Sequence, residues 1–287
     1  QGKTSFANKT IKQIGDEVDP ATCGLGFTCR KGLKPESPNQ DSWFALKLEN
    51  YSIYGVFDGH GQKGHDVSQF VKENLPKLII KDERFRTSEM KQMLKDLFKK
   101  MQSLIITADR MKKLSAQMSG TTATVCVHAH EPGTTPSLMV AHVADSTAVL
   151  GRKKPDGTKD AVQLTRDHKP NLKDERARIE KAGGRVVFDG YANHRIYAKN
   201  ARYPGLNMSR CLGDLMGHAD CGISCEPEVT ERSIEPEDNI LLLCSDGVWE
   251  FITPLEGVQI VSEIAQTKAM AAAERLGEGA SDPSVKE

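Results

Sequence analysis

Short runs rich in apolar and β-branched residues, broken by Gly, Asp and Pro, dominate the chain after Leu25. They are Phe27–Arg30, Trp43–Leu48, Tyr51–Phe57, Thr122–His128, Leu138–Ala144, Thr147–Leu150, Val186–Phe188 and Ile240–Cys244. Runs of this length between turn residues predict strands. Longer stretches carry a helical period instead. His65–Ile80 and Thr87–Lys113 read as a helical pair, the second repeating Met90, Leu94, Leu97, Met101, Leu104 and Ala108 at three- and four-residue spacing. Leu172–Ala182 predicts a short charged helix stopped by Gly183-Gly184, and Pro254–Arg275 a longer one ended by Gly277. Strands, a helical pair, more strands and a terminal helix make an α+β order without strict βαβ alternation, and many short strands favour an antiparallel sandwich. Residues 1–20 are polar and aperiodic, an N-terminal arm ahead of one domain over 21–287. Gln1-Gly2 reads as the remnant of a cleaved tag.

Composition narrows the function classes. A chain of 287 residues that is 38% hydrophobic can fill a sizeable core. Its 39 Lys and Arg balance 39 Asp and Glu, so the cationic excess of a nucleic-acid binder is missing and no nucleic-acid partner is expected. No apolar run approaches the length of a transmembrane segment and no signal segment opens the chain, which predicts an intracellular protein, cytoplasmic or nuclear. Seven cysteines scattered from Cys23 to Cys244 read as reduced thiols rather than a disulfide framework. Between Lys81 and Lys113 ten Lys and Arg face five Asp and Glu, which reads as the solvated face of a helix, with a docking surface as the sharper alternative. A monomer is expected.

The chemistry lies at the strand ends. Tyr51–Phe57 runs into Asp58-Gly59, Leu138–Ala144 into Asp145-Ser146, and Ile240–Ser245 into Asp246-Gly247, while Asp41 sits just before the Trp43 strand. Each alone is an ordinary turn. Gathered at one rim of a sandwich they would repel one another unless cations neutralised them, which points to hard divalent ions such as magnesium or manganese. No zinc-type Cys/His spacing competes, and Cys221 and Cys225 read as ordinary thiols. In Asp58-Gly59-His60-Gly61 the glycines let backbone approach an ion closely, and His60 would stand beside it as a proton donor near neutral pH.

At this point the sequence resembles the type 2C family of metal-dependent serine/threonine protein phosphatases. The matching segments run in order from about residue 25 to 265. They include Pro38–Asp41, Val56–Gly61, Ser119–Ala123, Ala144–Ser146, Leu164–Pro170, Glu175–Gly184, Met208–Asp214 and Ser245–Glu250. The resemblance implies a central sandwich of two antiparallel sheets flanked by helices, a metal centre at one end of it, and a flap at about Asn171–Asp214. It implies that Asp58 bridges two ions, that the Gly59 carbonyl binds one and Asp246 the other, and that Asp41 belongs to the inner or water-mediated shell. Asp145 with Asp246 resembles the pair that holds a weaker third ion. A metal-bridging water would attack phosphorus of phosphoserine or phosphothreonine while His60 protonates the departing oxygen, and phosphoprotein substrates would be selected by the flap.

Several positions depart from the family pattern. The last aspartate ligand, in an Asp-Asn or Asp-Asp-Ile-Thr-like segment before a final strand, has no match, so a C-terminal strand is expected to be missing. Thr147 stands where the family has an arginine after Asp145-Ser146, and Glu250 replaces an aspartate. The phosphate-binding arginine has no strict match, leaving Arg30, Lys31 and Lys34 as candidates, of which the lysines offer only a point charge. These departures motivate an alternative, a catalytically impaired protein of the same fold that binds a phosphoprotein or a kinase. Against it, Asp41, Asp58, Gly59, His60 and Asp246 are all in place. A phosphotransferase working through an aspartyl-phosphate on Asp58 would want an acid two positions on, where His60 stands.

Overall fold

The computed structural model describes residues 18–31 and 38–280. The chain enters through a short helix α1 (Pro20–Cys23), then forms β1 (Ser42–Lys47), β2 (Tyr51–Phe57) and β3 (Gly59–Gly61), followed by helices α2 (Gly64–Lys81) and α3 (Met90–Arg110). Next come β4 (Ser119–Thr121), β5 (Ala123–Ala129), β6 (Ser137–Val143), β7 (Thr147–Lys153) and β8 (Lys159–Gln163). Helix α4 (Lys173–Lys181) leads to β9 (Gly184–Phe188), β10 (His194–Ala198), β11 (Pro204–Leu206) and β12 (Leu212–Gly213). The chain closes through α5 (Leu215–Cys221), β13 (Glu228–Ser233), β14 (Asp238–Cys244), α6 (Asp246–Trp249), α7 (Pro254–Ser262), a 3₁₀ turn and α8 (Ala269–Gly279).

Side-chain alternation along the strands explains the layering. In β5, Ala123, Val125 and Val127 join the core under α2 and α3, while Cys126 points the other way with Leu138 and Val140 of β6. Strands β1-β2-β5-β6-β13 make one antiparallel sheet and β14-β7-β8 another. Cys126, Leu138 and Val140 from the first meet Ala148 and Leu150 from the second in a shared cluster, so the two sheets pack face to face. The outer face of the second sheet gives Val149 and Leu242 to a cluster with Val258 and Leu276, which puts α7 and α8 over it. Helices, sheet, sheet and helices form the layers, as expected. The flap has its own small core of Ile179, Ile196, Met208 and Cys211 beside the three-stranded sheet β11-β10-β9.

Three local expectations are corrected. Phe27–Arg30 forms no strand; Phe27 instead stacks on Trp43 with ring centroids 4.4 Å apart. Pro254–Arg275 is not one helix. It ends at Ser262 and resumes at Ala269 beyond the 3₁₀ turn, and the fold-back brings Val258 and Leu276 into one cluster that a straight rod could not form. Gly277 does not stop the helix, which runs to Gly279. The apolar stripe of α3 is as expected at Met90, Leu94, Leu97, Met101 and Ala108, which are buried, and wider than expected, since Met93, Phe98 and Ile105 are buried too and Leu104 partly.

Candidate metal and catalytic site

Strand β2 delivers Asp58, and β1 begins one residue after Asp41, because these two strands pair with Ser42 opposite Phe57. Asp58 is clamped through its backbone: its N–H donates to Thr122 Oγ1 at 2.9 Å, and its carbonyl accepts from the Thr122 N–H at 2.9 Å and the Thr121 hydroxyl at 3.1 Å. Gly59 lies so close to Gln40 and Gly64 that a Cβ there would meet the Gly64 carbonyl oxygen at 2.4 Å. Only glycine lets the chain pass between Gln40 and the start of α2. The Ser245 hydroxyl donates to Asp41 Oδ2 at 3.1 Å, tying the β1 entry to the residue before Asp246.

These contacts press three carboxyl groups together. Burial pushes the Asp58 carboxyl well above the usual carboxylate range, and the neighbouring charges and hydrogen bonds of Asp41 and Asp246 push it further. The arrangement is unfavourable without a cation and supplies hard oxygen donors, so the residues fit magnesium or manganese. Asp145 is differently placed. It is buried and paired with Lys169, so its charge is already balanced by a lysine whose ammonium also feels Asp167 and Asp246. Thr147, in the position of the family arginine, donates to Asp167 Oδ1 at 3.0 Å.

His60 stands on β3, in a small sheet ordered β12-β4-β3. Across that sheet His60 faces Gly120, and Gly120 faces Gly213. The buried carboxylate of Asp214 reaches over this row of small residues, placing Oδ2 2.5 Å from His60 Nε2. A Cβ on residue 120 would lie 2.0 Å from that oxygen, so the pairing requires Gly120. Burial alone would lower the His60 pKa, but the charge and hydrogen bond of Asp214 outweigh it, and the net shift is upward. The imidazole is thus held in one orientation and favoured in its protonated form.

The loop that carries Asp214 is anchored from below. Glu175 on α4 is fully buried and accepts from Arg178, Arg210 and Ser209, with Arg178 Nη2 at 2.7 Å and Arg210 Nη2 at 2.6 Å. Gln102 of α3 holds the Gly213 backbone by both edges, donating to its carbonyl at 3.0 Å and accepting its N–H at 2.8 Å.

Of the residues expected at the site, Asp41, Asp58, His60 and Asp246 line one groove with Arg30 and Lys31. The Arg30 guanidinium pairs with Glu278 of α8 at 3.3 Å, so its charge is shared with the terminal helix. Lys34 lies outside the described residues. Asp214 and Lys169 were not singled out from the sequence; both sit in the matching motifs, but nothing in their spacing announces a partner 154 residues away for His60.

Comparisons with known proteins bear on the family and the fold. The family model described as protein phosphatase 2C matches residues 32–287. "Probable protein phosphatase 2C 48" of Oryza sativa subsp. japonica is 37% identical over 94% of this chain and 79% of its own length. "Probable protein phosphatase 2C 73" of Arabidopsis thaliana is 36% identical over 84% of this chain and 69% of its own. Among solved structures, a serine-threonine phosphatase 2C from Toxoplasma gondii superposes with a TM-score of 0.69 at 21% identity, covering 84% of this chain and 83% of that one. A C. elegans sex determining protein superposes at 0.70 with 23% identity, covering 84% of this chain and 57% of that one. At those identities the structural likeness speaks for the fold.

Proposed function

The chain belongs to the protein phosphatase 2C family, and from that premise we propose that it is a metal-dependent serine/threonine protein phosphatase working at the rim formed by Asp41, Asp58, Gly59 and Asp246. The observation that carries this reading is the buried Asp58 carboxyl wedged between Asp41 and Asp246, a charge arrangement that divalent cations would neutralise. Asp58 and Asp246, with the Gly59 carbonyl, would hold magnesium or manganese, with Asp41 directly or through water. When bound, such ions neutralise phosphoryl oxygens and activate a water for attack.

The chain's own residues supply the rest. His60, oriented by Asp214 and favoured in its protonated form, gives its proton to the departing Ser or Thr oxygen. Arg30 and Lys31 border the same groove and would meet the phosphate dianion. Asp145, neutralised by Lys169, would lend itself to a weaker third ion only if that lysine turned away. Phosphoprotein substrates would lie against the flap, where Phe188 and Tyr191 are exposed.

Phosphate release from a phosphothreonine peptide tests the reading. Turnover should require added manganese or magnesium and disappear on chelation. Full activity after exhaustive chelation, or none in saturating manganese, would overturn it.

A further inference from the structure

Beside the proposed phosphatase centre is a second cluster of a different chemical character. His60 Nε2, Asp214 Oδ2 and Cys211 Sγ lie within 4.8 Å of one another. Asp214 Oδ2 is the common neighbour, 2.5 Å from the imidazole and accepting from the Cys211 thiol at 3.1 Å. Asp214 and Cys211 are buried, and His60 is mostly so. Imidazole, thiol and a single carboxylate are the donor types that bind zinc-like cations, whereas the aspartate rim supplies only oxygen.

We propose that His60, Cys211 and Asp214 form a binding site for one soft divalent cation of the zinc type, whose occupation withdraws His60 from proton donation and so stops hydrolysis. The proposal rests on the phosphatase reading for its consequence, not for the binding itself. On binding, the Cys211 thiol and the His60 Nε2–H each give a proton to solvent, two protons leaving for the two charges that enter, and Cys211 ligates as thiolate. His60 ligates through Nε2 with its remaining proton on Nδ1, a buried atom that has no partner among the described residues. Thiolate and carboxylate together cancel the two positive charges, so a neutral assembly replaces the ion pair in a buried position. The Nε2–Oδ2 separation must open from 2.5 Å; a tetrahedral site with bonds of about 2.0–2.1 Å needs roughly 3.3 Å between these atoms. Burial and the adjacent Asp214 push the Cys211 thiol well above its usual range. Only an ion with strong thiolate affinity repays that deprotonation, which excludes magnesium and manganese and selects zinc, cadmium or cobalt.

A second buried group, His142, His168 and Glu228, lacks this geometry. Its imidazoles are stacked with centroids 4.6 Å apart and planes 10° from parallel, so their in-plane lone pairs cannot converge on one ion. His168 Nδ1 already accepts the Ala144 N–H at 3.0 Å, which leaves the proton on Nε2.

The test uses the whole chain in saturating magnesium, so that the aspartate rim is filled, with cobalt as the probe. One equivalent of cobalt should produce a cobalt–thiolate charge-transfer band that zinc abolishes by displacement. Cys211→Ser should remove the band and weaken zinc binding, read by competition with a chromophoric chelator, by at least about tenfold. No thiolate band, or a band unchanged in Cys211→Ser, overturns the site. Should that variant not fold, X-ray absorption of the wild-type zinc complex decides the same point by showing one sulfur ligand or none. Zinc should also slow phosphothreonine hydrolysis in step with the band, and a full band without inhibition overturns the control of His60. Zinc-free hydrolysis tests the phosphatase reading separately, since the band needs no turnover.

Discussion

At the scale of single residues, Asp58 shows how buried, crowded carboxyl groups cost stability. Its carboxyl titrates at an ordinary value in the unfolded chain and at a raised one in the metal-free fold. Stability is therefore full below the ordinary Asp range and is lost as pH climbs from there through the raised folded value. Asp58→Asn removes that penalty. We expect the variant to melt above the wild type at neutral pH without metal, to lose the manganese-induced rise in melting temperature, and to lose turnover. A variant that melts lower than metal-free wild type would show that the carboxyl is not strained. His60 makes a different prediction. His60→Gln should slow hydrolysis of a phosphothreonine peptide by about 10²–10⁴-fold, while an activated aryl phosphate, whose leaving group needs little proton donation, should barely change. Equal losses on both substrates would assign His60 to structure or metal binding instead.

At the scale of elements, what matters is how separate segments are held in register around the site. Glu175 is the clearest case, because its carboxylate joins α4 to Arg210 and Ser209 in the loop that leads to Asp214. Burial works against ionisation, yet the hydrogen bonds from Arg178, Arg210 and Ser209 outweigh it and hold the carboxyl well below the usual range. Glu175→Gln leaves Arg178 without its counter-charge and Arg210 with only the more distant Glu228, 3.5 Å away, and should cost about 3 kcal/mol at neutral pH. A depressed carboxyl contributes stability that is present above the ordinary Glu range and is lost as pH falls toward the folded value. The gap between wild type and variant should therefore narrow in acid, as denaturant titrations at pH 7 and pH 4 would show. A gap that stays constant would mean that packing, not charge, holds this junction. Little of this was legible in the sequence. Glu175, Ser209 and Arg210 lie in segments that match the family, but their meeting depends on the flap folding back on α4, and no local period encodes that. The split between α7 and α8 was hidden for a similar reason, since residues 254–275 keep a helical composition across a turn that tertiary packing imposes. The polar strand Glu228–Ser233 escaped detection because it is an edge strand, paired only to β6, and carries no apolar alternation. By contrast Asp58, Asp145 and Asp246 were readable, because a strand that ends in Asp followed by a small residue is a local pattern that survives folding.

At the scale of the whole molecule, the two central sheets are unequal among the described residues, five strands against three, and β14 forms one edge of the smaller sheet there. Beside that edge runs a groove of about 1820 Å³ that begins at Asp58 and Asp246 and continues between the sheets past Tyr54, Leu138, Leu241 and Leu243. A strand edge next to apolar side chains is a place where further backbone can pair and bury surface. The resemblance implies a last metal ligand, an aspartate ahead of a final strand, which has no match in this sequence, and such a strand laid along β14 would bring its leading aspartate toward the Asp246 end of the groove. We therefore expect that a chain extended beyond Glu287 by an Asp-Asn or Asp-Asp segment and an alternating apolar strand gains two properties at once. Burial of the groove raises the melting temperature, and one more carboxylate raises manganese affinity. Differential scanning calorimetry and manganese titration of the extended and unextended chains check both. Changing the new aspartate to asparagine should cancel the affinity gain and spare most of the thermal gain, since the two come from separate atoms. If extension moves neither quantity, the Asp58–Asp246 rim is already complete without a further ligand and the groove serves something other than a strand.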